Sequence, residues 1–206
     1  AFTSMIGIAY ASAHDEYSAG YVSDNGYSLL YLNILFIIGA FIMRSAGCII
    51  NDLWDRNIDK KITRTKNRPL ANNSIKSIEA LSILSLLLAC AFIILLSLKT
   101  YAIVVGLVAM LLIVTYPYMK RITFWPQLFL GITYNIGMIM GYVEVTNQID
   151  INIILLYIAT IFWTVGYDTI YAYQDLKDDI MIGIKSTAII SAKFAKLFIA
   201  KNYGIM

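Results

Sequence analysis

The chain has 206 residues, of which 59% are hydrophobic and only 14% charged, with a formal net charge of +3. So much apolar surface excludes an ordinary soluble domain, and apolar runs that are long and do not alternate exclude a β-barrel. The modest net charge says little by itself; no nucleic-acid-binding signature is found, and that class of partner is set aside. What remains is an all-α, polytopic transmembrane helical bundle, one domain over 1–206, lying in a lipid bilayer.

The first apolar run, about 1–13, is shorter than the roughly 20 residues a span needs and lacks the basic start of a signal peptide. We read it as part of a span. Met206 again falls inside an apolar segment, so the chain is expected to be a fragment, incomplete at both ends. A polar connection, 14–27, carries His14, Asp15, Glu16 and Asp24 and no Lys or Arg. A second span is expected at 28–50, followed by a long polar loop to Lys76. The third span, 77–98, turns at Lys99-Thr100 into a fourth, 101–116, which Pro117 closes. The fifth is placed at 125–145 and the sixth at 151–171; a second polar loop, 173–186, leads to a seventh run from Thr187. Cys48 and Cys90 lie in apolar runs and are expected to be packed thiols, neither a disulfide nor a metal pair.

Charge alternates between connections. Segments 51–76, 117–124 and 172–186 carry seven, two and two Lys or Arg residues, whereas 14–27, 98–100 and 144–150 carry Lys99 alone. By the positive-inside rule the first set faces the cytoplasm or matrix.

Both polar loops hold acids. In the first, a helix continuing past the second span puts Asn51, Asp55 and Asp59 at i, i+4 and i+8, on one face. Oxygen ligands so arranged suit a hard divalent cation, Mg²⁺ above all. Arg56, Lys60, Lys61, Arg64, Lys66 and Arg68 follow, with the charge and hydrogen-bond donors that phosphate oxygens need. In the second, a continuing helix brings Asp168, Tyr171 and Asp175 near one face, with Asp178 and Asp179 beyond. Asp168 sits within an apolar run, where a carboxylate costs about 2.5–3.5 kcal/mol on insertion scales and usually faces a cavity. Gathering these acids requires neutralising cations. Lys120 and Arg121, at the mouth of a third loop on the same side, are candidate ligands for a diphosphate. A metal–diphosphate at a membrane helix mouth fits a substrate with a lipid tail.

Asn51-Asp52-x-x-Asp55-x-x-x-Asp59 and Asp168-x-x-Tyr171-Ala172-x-Gln174-Asp175-x-x-Asp178-Asp179 resemble the two aspartate-rich motifs of the UbiA superfamily of intramembrane aromatic prenyltransferases. Met43 to Cys48, Arg64-Thr65, Arg68-Pro69-Leu70-Ala71, Tyr116-Pro117-x-Met119-Lys120-Arg121, Trp125-Pro126-Gln127 and Gly183 to Thr187 narrow the resemblance to its 4-hydroxybenzoate polyprenyltransferase branch. It covers nearly the whole chain and implies a fold of about nine membrane helices, of which about seven are here. The implied reaction is Mg²⁺-dependent transfer of a polyprenyl group from polyprenyl diphosphate to the ring carbon ortho to the hydroxyl of 4-hydroxybenzoate. It would serve ubiquinone biosynthesis in a bacterial cytoplasmic or mitochondrial inner membrane, and no obligate protein partner is implied. By the same resemblance Asn51, Asp55, Asp59, Asp175 and Asp179 are metal ligands, and Lys120, Arg121, Arg64 and Arg68 hold diphosphate. Arg44, two turns before Asn51, would hold the aromatic carboxylate with Asn51 beside it, and Asp175 would help remove the ring proton. Asp52, Asp168, Tyr171 and Asp178 would support the site. The rivals are the naphthoate and haem O branches, a phosphatidyltransferase, a cation transporter using the acids as a pathway, and an inactive remnant.

Overall fold

A computed structural model describes residues 2–13, 28–60 and 65–206, apart from the side chains of Asp178 and Ile182. The 14–27 connection therefore lies outside the described residues. In chain order the helices are α1 (Phe2–Ser12), α2 (Leu29–Asp59), α3 (Ser77–Leu96), α4 (Thr100–Ile122), α5 (Pro126–Thr146), α6 (Ile151–Ala172), α7 (Leu176–Ile182), α8 (Thr187–Ser191) and α9 (Ala195–Ile205), with a 3₁₀ turn between the last two. Helices α2 to α6 are each long and apolar enough to cross a membrane. Their outward faces carry exposed Ile, Leu, Val and Phe, as lipid-facing surfaces do. The protein is an integral membrane helical bundle.

Local chemistry sets the helix ends. Ser28 caps α2 by accepting from Tyr31 N–H, and Asp150 caps α6 by accepting from Ile153 N–H. Pro126 opens α5, where its missing N–H costs nothing. Asn147 ends α5 in the left-handed region.

Three elements differ from the sequence expectation. Pro117 does not close α4, which runs on to Ile122 and puts Lys120 and Arg121 in its last turn. Proline removes one intrahelical bond and can be tolerated in a membrane helix. The second acidic stretch is not one helix: α6 stops at Ala172, and Asp175 sits at the N-terminal boundary of α7 with φ −99° and ψ 6°. The run from Thr187 is broken at the 3₁₀ turn into two short helices and is not a single span. The cysteines are free, but Cys48 is exposed on α2, not packed.

Helix α5 is the central post, packed against α1, α4 and α6; α2 pairs with α3, and α9 lies on α6. The contact with α1 is made by small residues. A Cβ on Gly141 would overlap the Ser4 carbonyl oxygen, and one on Gly7 would overlap that of Met138. With Gly137 they let the two backbones touch, as small residues do between membrane helices. The buried apolar cluster gathers Ile8, Leu32, Phe36, Leu98, Met138, Tyr142 and Ile153. These residues come from one end of the bundle, where the 97–99 and 147–150 connections lie. Fully buried Glu144 ties that end together: its Oε2 accepts from Lys99 N–H at 2.8 Å, holding the α3–α4 turn to α5. Tyr142 donates to Asp150 Oδ2 at 2.6 Å.

If this seat orders α1, Gly141→Ala forces the two helices apart and costs about 1–3 kcal/mol. Thermal unfolding in detergent should show a lowered midpoint; an unchanged midpoint would mean that α1 is not seated on α5 in this way.

Candidate functional site

At the opposite end the helices splay around a polar cavity of about 420 Å³. Helix α2 does not stop at the end of its apolar run. It continues through the first acidic stretch to Asp59, so Asn51, Asp55 and Asp59 stand on one face, and all three line the cavity. Helix α6 supplies Asp168 and Tyr171. The break after Ala172 turns the chain so that Asp175 and Asp179 still reach the same space. The two acidic stretches, more than a hundred residues apart in sequence, thus meet in one cavity. Helix α4 brings Lys120 and Arg121 to it.

The cations do not all act alike. Arg68 Nη1 donates to Asp52 Oδ1 at 2.8 Å and to Asp59 Oδ2 at 3.1 Å. Asp52 and Asp59 are two turns apart on one face, so a single guanidinium spans both. Arg68 lines the cavity, but its nearest ties are to these carboxylates; Asp52 is not among the lining residues. Thr65 Oγ1 donates to the Asp59 carbonyl at 3.3 Å, anchoring the returning loop. Arg56 is not at the cavity at all. Its fork is filled by Leu70 O, Ser77 Oγ and Asn73 Oδ1, which pins the 65–77 loop to α2. Arg121 Nη2 donates to Trp54 O at 3.0 Å and lies 3.4 Å from Asp55 Oδ1, with its guanidinium over the Tyr118 ring. Lys120 has no hydrogen bond or ion pair from its ammonium among the described residues, yet it is within electrostatic reach of both Asp55 and Asp168.

Of the other residues singled out in the sequence, Arg44 is exposed on α2 and is not a lining residue; it lies within electrostatic reach of Tyr116 and Tyr167. Arg64 and the Asp178 side chain lie outside the described residues. The cavity also contains residues to which the sequence reading gave no role: Tyr116, Gln127, Gln174, Lys185 and Ser186 among them. Gly183, at φ 77°, ends α7 and reverses the chain. Lys185 N–H then donates to the Lys120 carbonyl at 2.9 Å, Lys185 Nζ to Ile122 O at 3.0 Å, and Thr187 N–H to Gln127 Oε1 at 3.0 Å. This strap, 183–187, is stitched to the end of α4 and the start of α5. The sequence signals were the glycine turn and the Trp-Pro-Gln helix start, neither of which carries a charge pattern.

The metal-ligand candidates that line the cavity, Asn51 and the aspartates, offer oxygen donors and include no His or Cys. That donor set fits Mg²⁺, which takes one or two carboxylates with substrate phosphates and water completing its octahedron. It does not fit zinc, which is usually enclosed by several nitrogen or sulfur ligands.

Comparison with known proteins places this arrangement. The profile of the UbiA prenyltransferase family matches residues 2–206. The 4-hydroxybenzoate polyprenyltransferase, mitochondrial, of Rattus norvegicus is 46% identical over 191 residues, which are 92% of this chain and 51% of that protein. The chain spans about half the length of the curated relatives it matches. Among solved structures, the apo UbiA homolog from Aeropyrum pernix K1 superposes with a TM-score of 0.77 at 24% identity, over 98% of this chain and 74% of that one. A UbiA homolog from Archaeoglobus fulgidus, bound to GPP and Mg²⁺, superposes with a TM-score of 0.71 at 17% identity, over 98% and 69% of the two chains. With the profile matching almost end to end, the chain belongs to the UbiA prenyltransferase family.

Proposed function

We propose that the protein transfers a polyprenyl group from polyprenyl diphosphate to 4-hydroxybenzoate, at the ring carbon ortho to the hydroxyl, in ubiquinone biosynthesis. The observation that carries this reading is the meeting of the α2 acids, the α6–α7 acids and Lys120 in one cavity at the end of a membrane bundle. The name of the mitochondrial relative supports the acceptor. The GPP and Mg²⁺ bound to the archaeal homolog support the donor class and the metal.

In this reading Asn51, Asp55, Asp175 and Asp179 would hold Mg²⁺ together with the diphosphate, and Asp59, clamped by Arg68, would assist directly or through water. Bound Mg²⁺ would supply Lewis-acid stabilisation of the negative charge that builds on the leaving diphosphate. Lys120, whose ammonium has no ion pair among the described residues, would add its charge to the same oxygens, worth most where water is excluded. Arg121 holds Asp55 in place and presents its remaining donors to the cavity. As the C–O bond to the diphosphate breaks, positive charge grows on the allylic carbon, and an aromatic ring such as that of Tyr116, which lines the cavity, would favour it. The ring carbon bonds to that carbon, and the ring proton leaves to a cavity carboxylate, for which Asp175 is the candidate. Arg44 suits the aromatic carboxylate, since its planar fork matches two oxygens. The loops carrying the acids would face the cytoplasm or matrix, by the distribution of Lys and Arg.

The direct test supplies labelled 4-hydroxybenzoate and a polyprenyl diphosphate to membranes containing the protein, with Mg²⁺ or with EDTA. A lipid-extractable aromatic product that forms only with Mg²⁺ is expected; its absence, with other aromatic acceptors giving product, would move the protein to another branch of the family. Asp55→Ala and Asp175→Ala should each lower turnover by at least roughly a hundredfold, beyond the effect of losing an outer-shell partner, while the protein remains inserted. Near-normal activity in either would sink the metal-site reading. Arg44→Ala should raise KM for 4-hydroxybenzoate by roughly ten- to a hundredfold, the scale of a charged hydrogen bond. An unchanged acceptor dependence would remove Arg44 from the site.

A further inference from the structure

The cavity contains two neutral polar side chains that the acids and cations leave unexplained. Ser186 is only 3% exposed, lines the cavity, and its Oγ has no hydrogen-bond partner among the described residues. A buried hydroxyl without a partner is destabilising, so its position calls for a ligand or a reason. Gln127 is 5% exposed and lines the same cavity. Its Oε1 accepts from Thr187 N–H at 3.0 Å. An amide whose oxygen is fixed on a main-chain donor has its orientation settled: the NH₂ end must point elsewhere, and it has no partner among the described residues.

These two groups are not independent. Ser186 is adjacent to Thr187, whose N–H holds Gln127, and to Lys185, whose N–H holds the Lys120 carbonyl. Thr187 is fixed from its other side too, through a 2.6 Å hydroxyl contact with Thr169 of α6 and a 2.6 Å bond from Ser191 Oγ to its carbonyl. The strap is thus tied from both sides, and it brings Ser186, Gln127 and Lys120 to contiguous elements around one space. Each can donate a hydrogen bond there, while the α2 and α6–α7 side of the cavity offers mainly carboxylate acceptors. A surface of donors with no acceptor partners fits an anion carrying several oxygens.

We propose that Gln127 Nε2 and Ser186 Oγ form a neutral donor pair that binds non-bridging oxygens of the substrate diphosphate beside Lys120, and that the 183–187 strap exists to position it. This rests on the prenyl-transfer reading above and adds two binding residues to it. Neutral donors suit the task physically: they hold the diphosphate before and after the C–O bond breaks without adding a charge that would trap the product.

The test uses purified protein in detergent, with Mg²⁺ and inorganic diphosphate as the probe in calorimetry, alongside KM for polyprenyl diphosphate and for 4-hydroxybenzoate. Gln127→Glu keeps an oxygen for Thr187 N–H but replaces the NH₂ by an anionic oxygen. It should weaken diphosphate binding roughly ten- to a hundredfold, and Ser186→Ala by about three- to tenfold. KM for the prenyl donor should rise in step, with KM for the aromatic acid within about twofold of wild type. Diphosphate binding unchanged in both variants would overturn the proposal, as would a shift confined to the aromatic acid. If Gln127→Glu fails to fold, Ser186→Ala decides alone, because its hydroxyl holds no other group in place. Wild-type protein that binds diphosphate but accepts a different aromatic would overturn only the acceptor assignment; wild-type protein that binds no diphosphate would overturn both readings.

Discussion

Five carboxylates, Asp55, Asp59, Asp168, Asp175 and Asp179, share one cavity at the end of a membrane bundle, and their mutual repulsion is the constraint on which the rest depends. Ionised acids crowd together only where opposite charge stands close. The chain supplies part of that charge itself. Arg68 spans Asp52 and Asp59, and Arg121 reaches Asp55. These pairs are partly solvated, so each contributes modestly to stability; their larger effect is to fix where the carboxylates point. The negative charge they leave is what the proposed Mg²⁺ would balance, which makes the site electrostatically incomplete without its ligands.

A site built this way needs a stiff frame, and the bundle divides its labour by end. Around Met138, Tyr142, Leu98 and Phe36 the helices pack apolar side chains, with Glu144 and Asp150 binding the turns to α5 and α6. Toward the cavity the same helices diverge, and polar stitches replace apolar packing: Arg56 onto the 65–77 loop, the 183–187 strap onto α4 and α5. Close contact at one end leaves room at the other. The tight α1–α5 seat belongs to this scheme, because a Cβ at Gly141 would move α1 and disturb the post from which Gln127 projects.

Much of this was legible in the sequence because it follows from periodicity and charge. The apolar runs located α2 to α6, although α2 and α4 run on past their expected ends, and i, i+4, i+8 spacing placed Asn51, Asp55 and Asp59 on one face of a helix that does continue. That the second acidic stretch shares the cavity was also expected, although by the wrong route: the helix breaks after Ala172, and the turn at 173–175, not helical phase, brings Asp175 round. Local propensity did not mark that break, since Tyr173-Gln174-Asp175 contains neither Gly nor Pro. Pro117 misled in the opposite sense, a breaker in water that a membrane helix absorbs. The neutral donors Gln127 and Ser186 left no mark in charge or period; what puts them in the cavity is the Gly183 reversal and main-chain bonds between residues some sixty apart.

The basic pair Lys120-Arg121 shows how structure separates residues that sequence joins. Both stand in the last turn of α4 and both line the cavity. Arg121 has spent its geometry on the protein: one nitrogen bonds Trp54 O and nears Asp55, its plane lies over Tyr118, and Tyr118 in turn meets Trp54 edge-on at 4.7 Å. A planar fork with a rigid set of donors is suited to such a clamp between α2 and α4. Lys120 makes no such commitment among the described residues. Its compact, mobile ammonium sits in reach of acids from both α2 and α6 while its own carbonyl holds the strap through Lys185 N–H. The division follows from the chemistry of the two side chains: the fork that can be fixed in one geometry carries the architecture, and the point charge that can follow a moving oxygen suits the proposed diphosphate. Exchanging the two residues would keep the net charge of the cavity and lose both roles.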